Sequence, residues 1–324
     1  MKTNGRRGWR FVLVLASLFL FIGPVMAQEK FPAKNIDVVI PFAAGGNTEI
    51  NAQLLRPNLQ KTLGVGVAVV LKPGAGTTIG MNFVANALPD GYTVAGNTPS
   101  LLCTRYTMKS GVSYEKFDPI LRSVAVPMGV AVKTDAPWKN FKEFMDYAKA
   151  NPGKVLMGNS GIGAMTHIGT TGIEMATGMK FTHMPFKGTG PEITALIGGH
   201  IDGGVMEISS LYPFWEAKKL RILAVSSPER SPVLPDVPTF REHGFDMDVG
   251  TWVTYFAPKG TPKDRLQVLH NAFKAAMESS EHRDYYKKQG GIIEYMDLQK
   301  VALWMEAQDK LWKKIIDFGG FKPE

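Results

Sequence analysis

The sequence has very little cysteine: Cys103 is the single one among 324 residues. One thiol cannot form an internal disulfide, and it cannot supply the paired thiolates of a structural zinc site. The six histidines show no metal-ligand spacing either. The nearest candidate is His200 with Asp202, two residues apart in a glycine-rich turn, and this is weak evidence for a metal site. We therefore expect no bound metal.

The glycine-rich stretches match no nucleotide-binding pattern. In residues 73–80 (PGAGTTIG) the third glycine is one residue too far along for the dinucleotide fingerprint, and no P-loop lysine is present. Ser160 misses the G-x-S-x-G nucleophile elbow by one position. His167 follows seven residues later, and the missing elbow favours a packing or hydrogen-bonding role for it. The sequence therefore predicts no catalytic residue and no cofactor.

Long apolar runs are absent except near the N-terminus. Residues 11–22 (FVLVLASLFLFI) follow four basic residues and precede a Gly23-Pro24 break and small residues at 25–27. This pattern is typical of a cleaved signal peptide over residues 1–27, and no cysteine follows the cleavage point to carry a lipid. No later stretch reaches ~18 apolar residues. We expect a protein exported to the periplasm and soluble after cleavage.

Positive charge is only in modest excess. The formal net charge of +8 falls to +4 when the four basic residues of the leader are removed. The densest basic stretches, 218–221 and 313–314, are typical of solvated helix faces, so we expect no nucleic-acid partner. A mild positive bias favours the approach of a small anionic ligand.

The mature chain begins with alternating strands and helices. The helix after the first strand is predicted to be capped by Asn47 or Thr48 and to end at Gly64. Helices of this length between strands predict parallel pairing with right-handed crossovers, hence a doubly wound α/β sheet. The predicted strands are 36–41, 65–71 and 92–95. The first predicted helix carries an apolar stripe from Ile50 to Leu63, and the second predicted helix is 77–87.

The alternation restarts after an extended segment at 124–132, with a helix after Asn140, strands near 155–158, 203–206 and 222–225, and a helix at 166–176. Residues 247–257 predict a second extended segment. Residues 261–264 (TPKD) predict a capping box with proline at the first helical position. A terminal amphipathic helix around 298–316 is expected to pack on the first lobe. We predict a signal peptide at 1–27, lobe 1 from 28–124 plus 248–324, and lobe 2 from 125–247.

Two α/β lobes joined by two extended crossover segments predict a cleft between them, where such folds bind ligands. Two loops run from a strand into a helix, 41–48 (PFAAGGNT) in the first lobe and 158–164 (GNSGIGA) in the second. Their glycines permit close backbone approach, and free N–H groups at a helix start favour an anion. Either loop alone is typical of a tight turn; equivalent positions in both lobes favour a binding role.

Eight short motifs follow one another in a characteristic order across the mature chain. This order closely resembles that of the periplasmic solute receptors of tripartite tricarboxylate transporters, the Bug-type receptors. The motifs are 41–46 (PFAAGG), 72–76 (KPGAG) with 79–80 (IG), 89–92 (PDGY), 148–154 (AKANPGK), 160–163 (SGIG), 183–188 (HMPFKG), 235–239 (PDVPT) and 257–262 (APKGTP).

The resemblance implies a two-lobed, type II Venus-flytrap binding protein without catalytic activity. In such receptors the first-lobe loop holds a ligand carboxylate through backbone N–H groups and ordered water, and the second-lobe loop closes onto the ligand. The corresponding ligand-binding residues here are Phe42, Ala44, Gly45, Gly46, Asn47, Thr48, Thr98, Ser100, Ser160, Gly161, Gly163, Ala164, Phe186, Thr189 and Glu207. Its implied partners are a small-molecule carboxylate and the membrane subunits of a tripartite transporter, and we expect a monomer.

The chain departs from the family pattern at several of these positions. The family usually has Asp at the position of Glu49, Arg at Gln53 and Ser at Ala164, and commonly Asp near Glu207. The loss of a hydroxyl at Ala164, with Phe42 and Phe186 nearby, suggests a ligand with an apolar or aromatic body, such as an aromatic carboxylate. Two alternatives stay open: a ligand sensor for a membrane signalling protein, and a secreted serine hydrolase using Ser160 and His167.

Overall fold

A computed structural model describes residues 30–42, 44, 46–186, 189–247, 249–293 and 295–323. The expected signal peptide, 1–27, and Gly45 of the first loop lie outside the described residues. In the part of the chain that is described, no helix has both the length and the hydropathy that crossing a bilayer requires.

The first lobe is built on a five-stranded sheet in the order β2-β1-β3-β9-β4. Strands β1, β2 and β3 pair in parallel, and β1 and β2 are rich in Val and Ile, as is typical of parallel strands. The strands are β1 (Ile36–Ile40), β2 (Val67–Leu71), β3 (Thr93–Asn97), β4 (Phe117–Lys133) and β9 (Gly250–Pro258). The helices are α1 (Asn47–Leu63), α2 (Thr78–Ala85), α3 (Ser100–Thr107), α8 (Lys263–Met277), α9 (Ser280–Lys288) and α10 (Leu298–Phe318).

The second lobe repeats this architecture on the far half of β4. Strands β5 and β6 are parallel, as are β5 and β7, whereas β7 and β8 both run antiparallel to β4. The strands are β5 (Leu156–Asn159), β6 (Thr182–Pro185), β7 (Gly203–Glu207) and β8 (Leu220–Val225). The helices are α4 (Phe141–Ala150), α5 (Met165–Thr177), α6 (Thr189–Gly198) and α7 (Ile208–Glu216).

Strand β4 is the first connection between the lobes. Its residues 117–127 pair with β9 in the first sheet, and its residues 128–132 pair with β7 in the second. The return connection reaches β9 at Gly250. The sequence prediction of two α/β lobes joined by two extended crossover segments is therefore confirmed.

The terminal helix packs on more of the molecule than the sequence predicted. Helix α10 contacts α3 and β4 as expected, but it also contacts α5 of the second lobe. Its Trp312, Ile315 and Ile316 are buried in a core cluster that includes Met157 and Val205 from the second lobe. The predicted packing on the first lobe is therefore confirmed, and the contact with the second lobe is an addition that the sequence did not predict.

Two predicted helix caps were also wrong. Asn47 and Thr48 lie inside α1, whose N-cap is Gly46, because the Asn47 carbonyl oxygen Oδ1 instead accepts a hydrogen bond from Tyr286 Oη at 3.0 Å. Thr261 does not cap α8, since its hydroxyl donates to the Pro258 carbonyl oxygen at 2.7 Å and Pro262 is the N-cap. By contrast, Asn140 caps α4 as predicted, with its side chain accepting from Glu143 N.

Candidate functional site

A cleft of about 800 Å³ lies between the two lobes. The first lobe contributes Gly76 and one face of α3, from Ser100 to Met108. The second lobe contributes residues 160–167, which include the end of the glycine-rich loop and the first turn of α5. The third wall is formed by residues 319–322, which follow α10.

Five of the predicted ligand-binding residues line this cleft. Ser100 does so from the first lobe, and Ser160, Gly161, Gly163 and Ala164 do so from the second. Residues distant in sequence and carried by different lobes are thus brought to one cavity. Between the glycines, Ile162 is 73% exposed, so the loop presents an apolar side chain to the cleft.

The remaining predicted residues of the first lobe lie beside the cleft rather than on its wall. Thr98 is buried behind Ser100 and donates from Oγ1 to Ser100 Oγ at 3.0 Å. The other residues surround the start of α1, where the loop leaves the carboxyl end of β1: they are Phe42, Ala44, Gly46, Asn47 and Thr48. Because β1 and β3 are parallel neighbours, this loop and Ser100 share one edge of the first sheet.

The remaining predicted residues of the second lobe lie at the carboxyl ends of its parallel strands. Phe186 follows β6, and its N–H donates to the carbonyl oxygen of Asn159 at 2.8 Å. Thr189 is the first residue of α6, and Glu207 is the last residue of β7, where it accepts from Thr251 Oγ1 at 2.9 Å. None of these three described residues lines the 800 Å³ cleft.

The second-lobe loop is held by its own hydrogen bonds. Gly161 N–H donates to Asn159 Oδ1 at 3.2 Å, and Gly163 N–H donates to His167 Nδ1 at 3.1 Å. Ser160 N–H donates to Thr166 Oγ1 at 2.6 Å. Left-handed backbone at Gly161 and Gly163, with φ of 145° and 70°, permits this tight path. The amides of these two glycines are therefore occupied within the loop.

The first turn of α5 supplies the donors that the loop does not use. Helix geometry leaves the N–H groups of the first turn without intrahelical acceptors, and Ala164, at the N-cap, has no side-chain cap. The helix dipole adds a partial positive charge at this end. Helix α1 begins in the same uncapped way at Gly46. These two helix starts are the anion-favouring features of the site.

Two asparagines carry buried donors without an acceptor. The side-chain nitrogens Nδ2 of Asn47 and of Asn159 have no hydrogen-bond partner among the described residues. Asn47 begins α1, and the fully buried Asn159 ends β5. An unsatisfied buried donor costs about 1–3 kcal/mol, so an acceptor would stabilise each of these amides, although neither asparagine is among the residues that line the 800 Å³ cleft.

His167 holds the second-lobe loop by a hydrogen bond and does not activate a nucleophile. The pKa of His167 is lowered to about 4, mainly by burial and also by the neighbouring His183, whose ring centroid is 4.7 Å away. The neutral ring accepts from Gly163 N–H through Nδ1. The Ser160 hydroxyl pairs instead with Thr166 Oγ1 at 2.8 Å. The Ser160–His167 pair that a hydrolase would require is therefore not formed.

A buried network fixes the start of α1. Asn51 Oδ1 accepts from Tyr255 Oη at 2.7 Å and from Ser123 Oγ at 3.0 Å, and Asn51 Nδ2 donates to Tyr286 Oη at 3.0 Å. Burial lowers the pKa of His282 to about 4, and the neutral ring lies 3.1 Å from Asn51 Nδ2. The network ties the loop-bearing helix to β4, β9 and α9.

Glu192 is a buried acid on the face of the second sheet. It lies over Gly158 and Gly204, which are paired neighbours in β5 and β7: a Cβ atom at Gly158 would be 2.8 Å from Glu192 Cγ. Neither carboxyl oxygen has a partner in the described part of the chain. Burial raises the pKa of Glu192 to about 8, and the Glu207 carboxylate contributes to the rise. Glu192 is therefore mostly protonated at neutral pH.

Sequence reasoning missed several residues that shape the site. Asn159 and Thr166 hold the loop, and their positions directly before and after its glycines were an available signal. No signal in the sequence indicated the cleft-lining face of α3, because α3 was not predicted. None indicated the segment 319–322 either, because that segment lies far in sequence from the other residues of the cleft. Among the described residues, no group of His, Cys, Asp and Glu is placed to hold a metal.

Comparison with known proteins agrees with this architecture. A curated relative, the UPF0065 protein in the gbd 5' region of Cupriavidus necator, is 35% identical over 304 residues, covering 93% of each chain. A crystal structure of a TctC solute binding protein from Polaromonas superposes with a TM-score of 0.80 and 31% identity, covering 89% of this chain and 99% of that one.

Two solved structures from Rhodopseudomonas palustris contain ligands. One protein, solved with adipate, has a TM-score of 0.77 and 26% identity, covering 91% of this chain and 100% of its own. The other, MatC with bound malate, has a TM-score of 0.73 and 28% identity, covering 88% and 100%. Residues 51–320 match the family model described as tripartite tricarboxylate transporter family receptor. The chain therefore belongs to the tripartite tricarboxylate transporter receptor family.

Proposed function

We propose that this protein captures an organic carboxylate between its lobes, without chemical conversion, and presents it to the membrane subunits of a tripartite transporter. The observation that carries the proposal is the cleft itself. Its wall contains the uncapped start of α5 and the hydroxyls of Ser100, Thr104, Thr107 and Ser160, and no described acidic side chain lines it. Such a surface favours an anion.

The ligand class is proposed from relatives. Structurally similar receptors are solved with adipate and with malate, which are both dicarboxylates. The unpartnered side-chain nitrogens of Asn47 and Asn159 are neutral donors suited to carboxylate oxygens. Ile162, Met165 and Met108 on the wall would accommodate an apolar chain or ring between two polar ends.

Closure is proposed to occur between lobe 1, residues 28–124 plus 248–324, and lobe 2, residues 125–247. Strand β4 and the segment entering β9 would bend between them. Ligand contacts made from both sides would favour the closed population. We propose that the first-lobe loop at 41–48 and the second-lobe loop at 160–164 contact the ligand from opposite sides when the lobes close. We propose a monomer that works in the periplasm after export.

Substitution at Ala164 tests the anion site without damaging the fold. Aspartate is a favoured N-cap residue, so Ala164→Asp should stabilise α5 by about 1 kcal/mol. The same carboxylate would occupy the anion position. At about 4 Å and an effective dielectric constant of 20, repulsion of a bound carboxylate is about 4 kcal/mol, enough to abolish measurable affinity. Ala164→Ser is the matched control, because it caps the helix without charge.

The assay is a thermal-shift screen followed by calorimetric titration with adipate, malate, citrate and benzoate. A ligand at 100 times its dissociation constant adds ~2.7 kcal/mol of stability, a rise of about 5 °C in Tm. We expect at least one acid to bind the unmodified protein and Ala164→Ser, and none to bind Ala164→Asp. Retained affinity in Ala164→Asp, or no binding of any carboxylate to the unmodified protein, would refute the proposed site.

A further inference from the structure

The segment that follows α10 is built against the ligand-facing helix of the second lobe. The Phe321 ring lies edge-on to His167, with centroids 4.8 Å apart, and His167 in turn accepts from Gly163 N–H. A Cβ atom at Gly319 would lie 2.9 Å from Thr171 Cγ2. Phe321 N–H donates to the Ile316 carbonyl oxygen at 3.2 Å. The segment is therefore fixed in place beside the start of α5.

These contacts determine where the next residue lies. Lys322 follows Phe321 directly, is exposed and lines the same cleft as Ser160 and the first turn of α5. Of the described residues on the cleft wall, Lys322 alone carries a formal charge at neutral pH, because the low pKa of His167 keeps that ring neutral. No described acidic side chain forms an ion pair with Lys322.

The cleft therefore has two electrostatically different places for an anion. The start of α5 offers neutral N–H groups and a helix dipole, and Lys322 offers a full positive charge on a flexible side chain. A monocarboxylate needs only one of these places. A dicarboxylate has a second negative charge that requires a counter-charge once closure excludes water.

We infer that Lys322 is a specificity-determining residue that pairs with the second carboxylate of a dicarboxylate ligand. This inference rests on the proposed function and narrows its ligand class to dicarboxylates. A charge-assisted hydrogen bond in a closed cleft supports about a 10-fold to 100-fold preference over a monocarboxylate of equal chain length. The preference should weaken as salt screens the pair.

The experiment compares adipate with hexanoate, which share a six-carbon chain and differ by one carboxylate. Calorimetric titrations are made on the unmodified protein, Lys322→Ala, Lys322→Arg and Lys314→Ala. Lys314 is the matched control because it is an exposed lysine of α10 that does not line the cleft. We expect Lys322→Ala to lose about 10-fold or more in adipate affinity with no change for hexanoate. Lys322→Arg and Lys314→Ala should retain both affinities.

Each alternative result identifies a different error. Unchanged adipate binding in Lys322→Ala, or equal losses for adipate and hexanoate, would overturn the role of Lys322 while leaving carboxylate capture intact. An equal loss in Lys314→Ala would show that only overall charge matters and would also overturn it. If benzoate binds the unmodified protein in the earlier screen but no dicarboxylate does, carboxylate capture stands and the inference about Lys322 is overturned. If no carboxylate of that screen binds, the proposed function fails and the inference fails with it.

Discussion

Replacement of Glu192 by Gln should stabilise the protein at neutral pH, by an amount that grows with pH. The Glu192 side chain is fully buried, and its two carboxyl oxygens have no partner among the described residues. Burial and the nearby Glu207 charge raise the pKa of Glu192 from 4.5 to about 8. In the unfolded chain the same carboxyl ionises near its ordinary pKa. A Gln side chain has nearly the same shape as Glu and does not ionise.

Proton linkage gives the direction and the magnitude of the change in the free energy of unfolding with pH. Between pH 4.5 and about 8 the folded state keeps a proton on Glu192 that the unfolded state has lost, so the free energy of unfolding falls as pH rises. The slope is ~1.4 kcal/mol per pH unit, so the contribution present below pH 4.5 is reduced by about 3 kcal/mol at pH 7 and about 5 kcal/mol at pH 8. Glu192→Gln should lack this loss.

Urea unfolding followed by tryptophan fluorescence, at pH 4.5, 6, 7 and 8, measures the difference between the two proteins. The difference is the informative quantity, because other groups titrate identically in both. Glu229→Gln makes the same substitution at an exposed position and should leave the pH dependence unchanged. If the stability gap between Glu192→Gln and the unmodified protein is the same at all four pH values, Glu192 is not held protonated and the reasoning fails.

Three further substitutions test the surroundings of the site. Asn159→Asp keeps the acceptor for Gly161 N–H but replaces the unpartnered Nδ2 donor with a carboxyl oxygen. The lost donor and the added negative charge should together lower carboxylate affinity, measured by calorimetry, at least 10-fold; unchanged affinity would contradict a ligand contact at this position. The pKa of His282 is lowered to about 4, so the free energy of unfolding should fall by about 3 kcal/mol between pH 6.5 and pH 4. His282→Gln should not show this decrease. Equal decreases in the two proteins, measured by urea unfolding across this pH range, would refute the reasoning. Asn51→Leu leaves the buried Tyr255 hydroxyl without its acceptor, whereas the Ser123 hydroxyl keeps the Val253 carbonyl oxygen, and it should cost about 3 kcal/mol in urea unfolding; a loss below 1 kcal/mol would show that the network is dispensable.

The parts of the fold that were predictable are those governed by local rules. Strand β1 is identified by buried β-branched residues, and Gly64 ends α1 with a left-handed φ of 72°. Helix α3 was missed because its eight residues, SLLCTRYT, include two β-branched threonines and show no clear apolar stripe. Strand β6 was missed because it is a largely exposed edge strand without the pattern of a buried one.

The errors in the predicted caps and the unforeseen contact of the terminal helix with α5 have a common cause, which is contact between residues far apart in sequence. The Asn47 side chain is engaged by Tyr286, 239 residues later, so it does not turn back to cap its own helix. Helix α10 crosses to α5 because Gly172 leaves room for Ile315, whose Cδ1 would lie 3.2 Å from a Cβ at that position. Spacing along one segment carries no information about such partners.

The same limit divides the candidate site into two parts. The loop at 160–164 was predictable because glycines between a strand and a helix are a local signal, whereas Ser100 was given by the resemblance to the receptor family. Phe321 and Lys322 were not predictable, because only the packing of α10 on α5 brings them to the cleft. Motif order therefore identifies the architecture that the chain shares with its family, whereas one wall of its cleft depends on tertiary packing.

Stability and binding should be separable in this protein because three of its described buried side chains without full hydrogen bonding, Glu192, Asn47 and Asn159, differ in kind. Glu192 is an acid whose burial costs stability above pH 4.5, so its replacement by Gln should strengthen the fold. The amide nitrogens of Asn47 and Asn159 are donors at the two helix-bearing loops, so removing them should weaken ligand capture rather than folding. Natural folds retain such violations of local rules where function requires them. A variant set that moved stability and affinity together would show instead that the cleft and the core form one cooperative unit, with no donors reserved for a ligand.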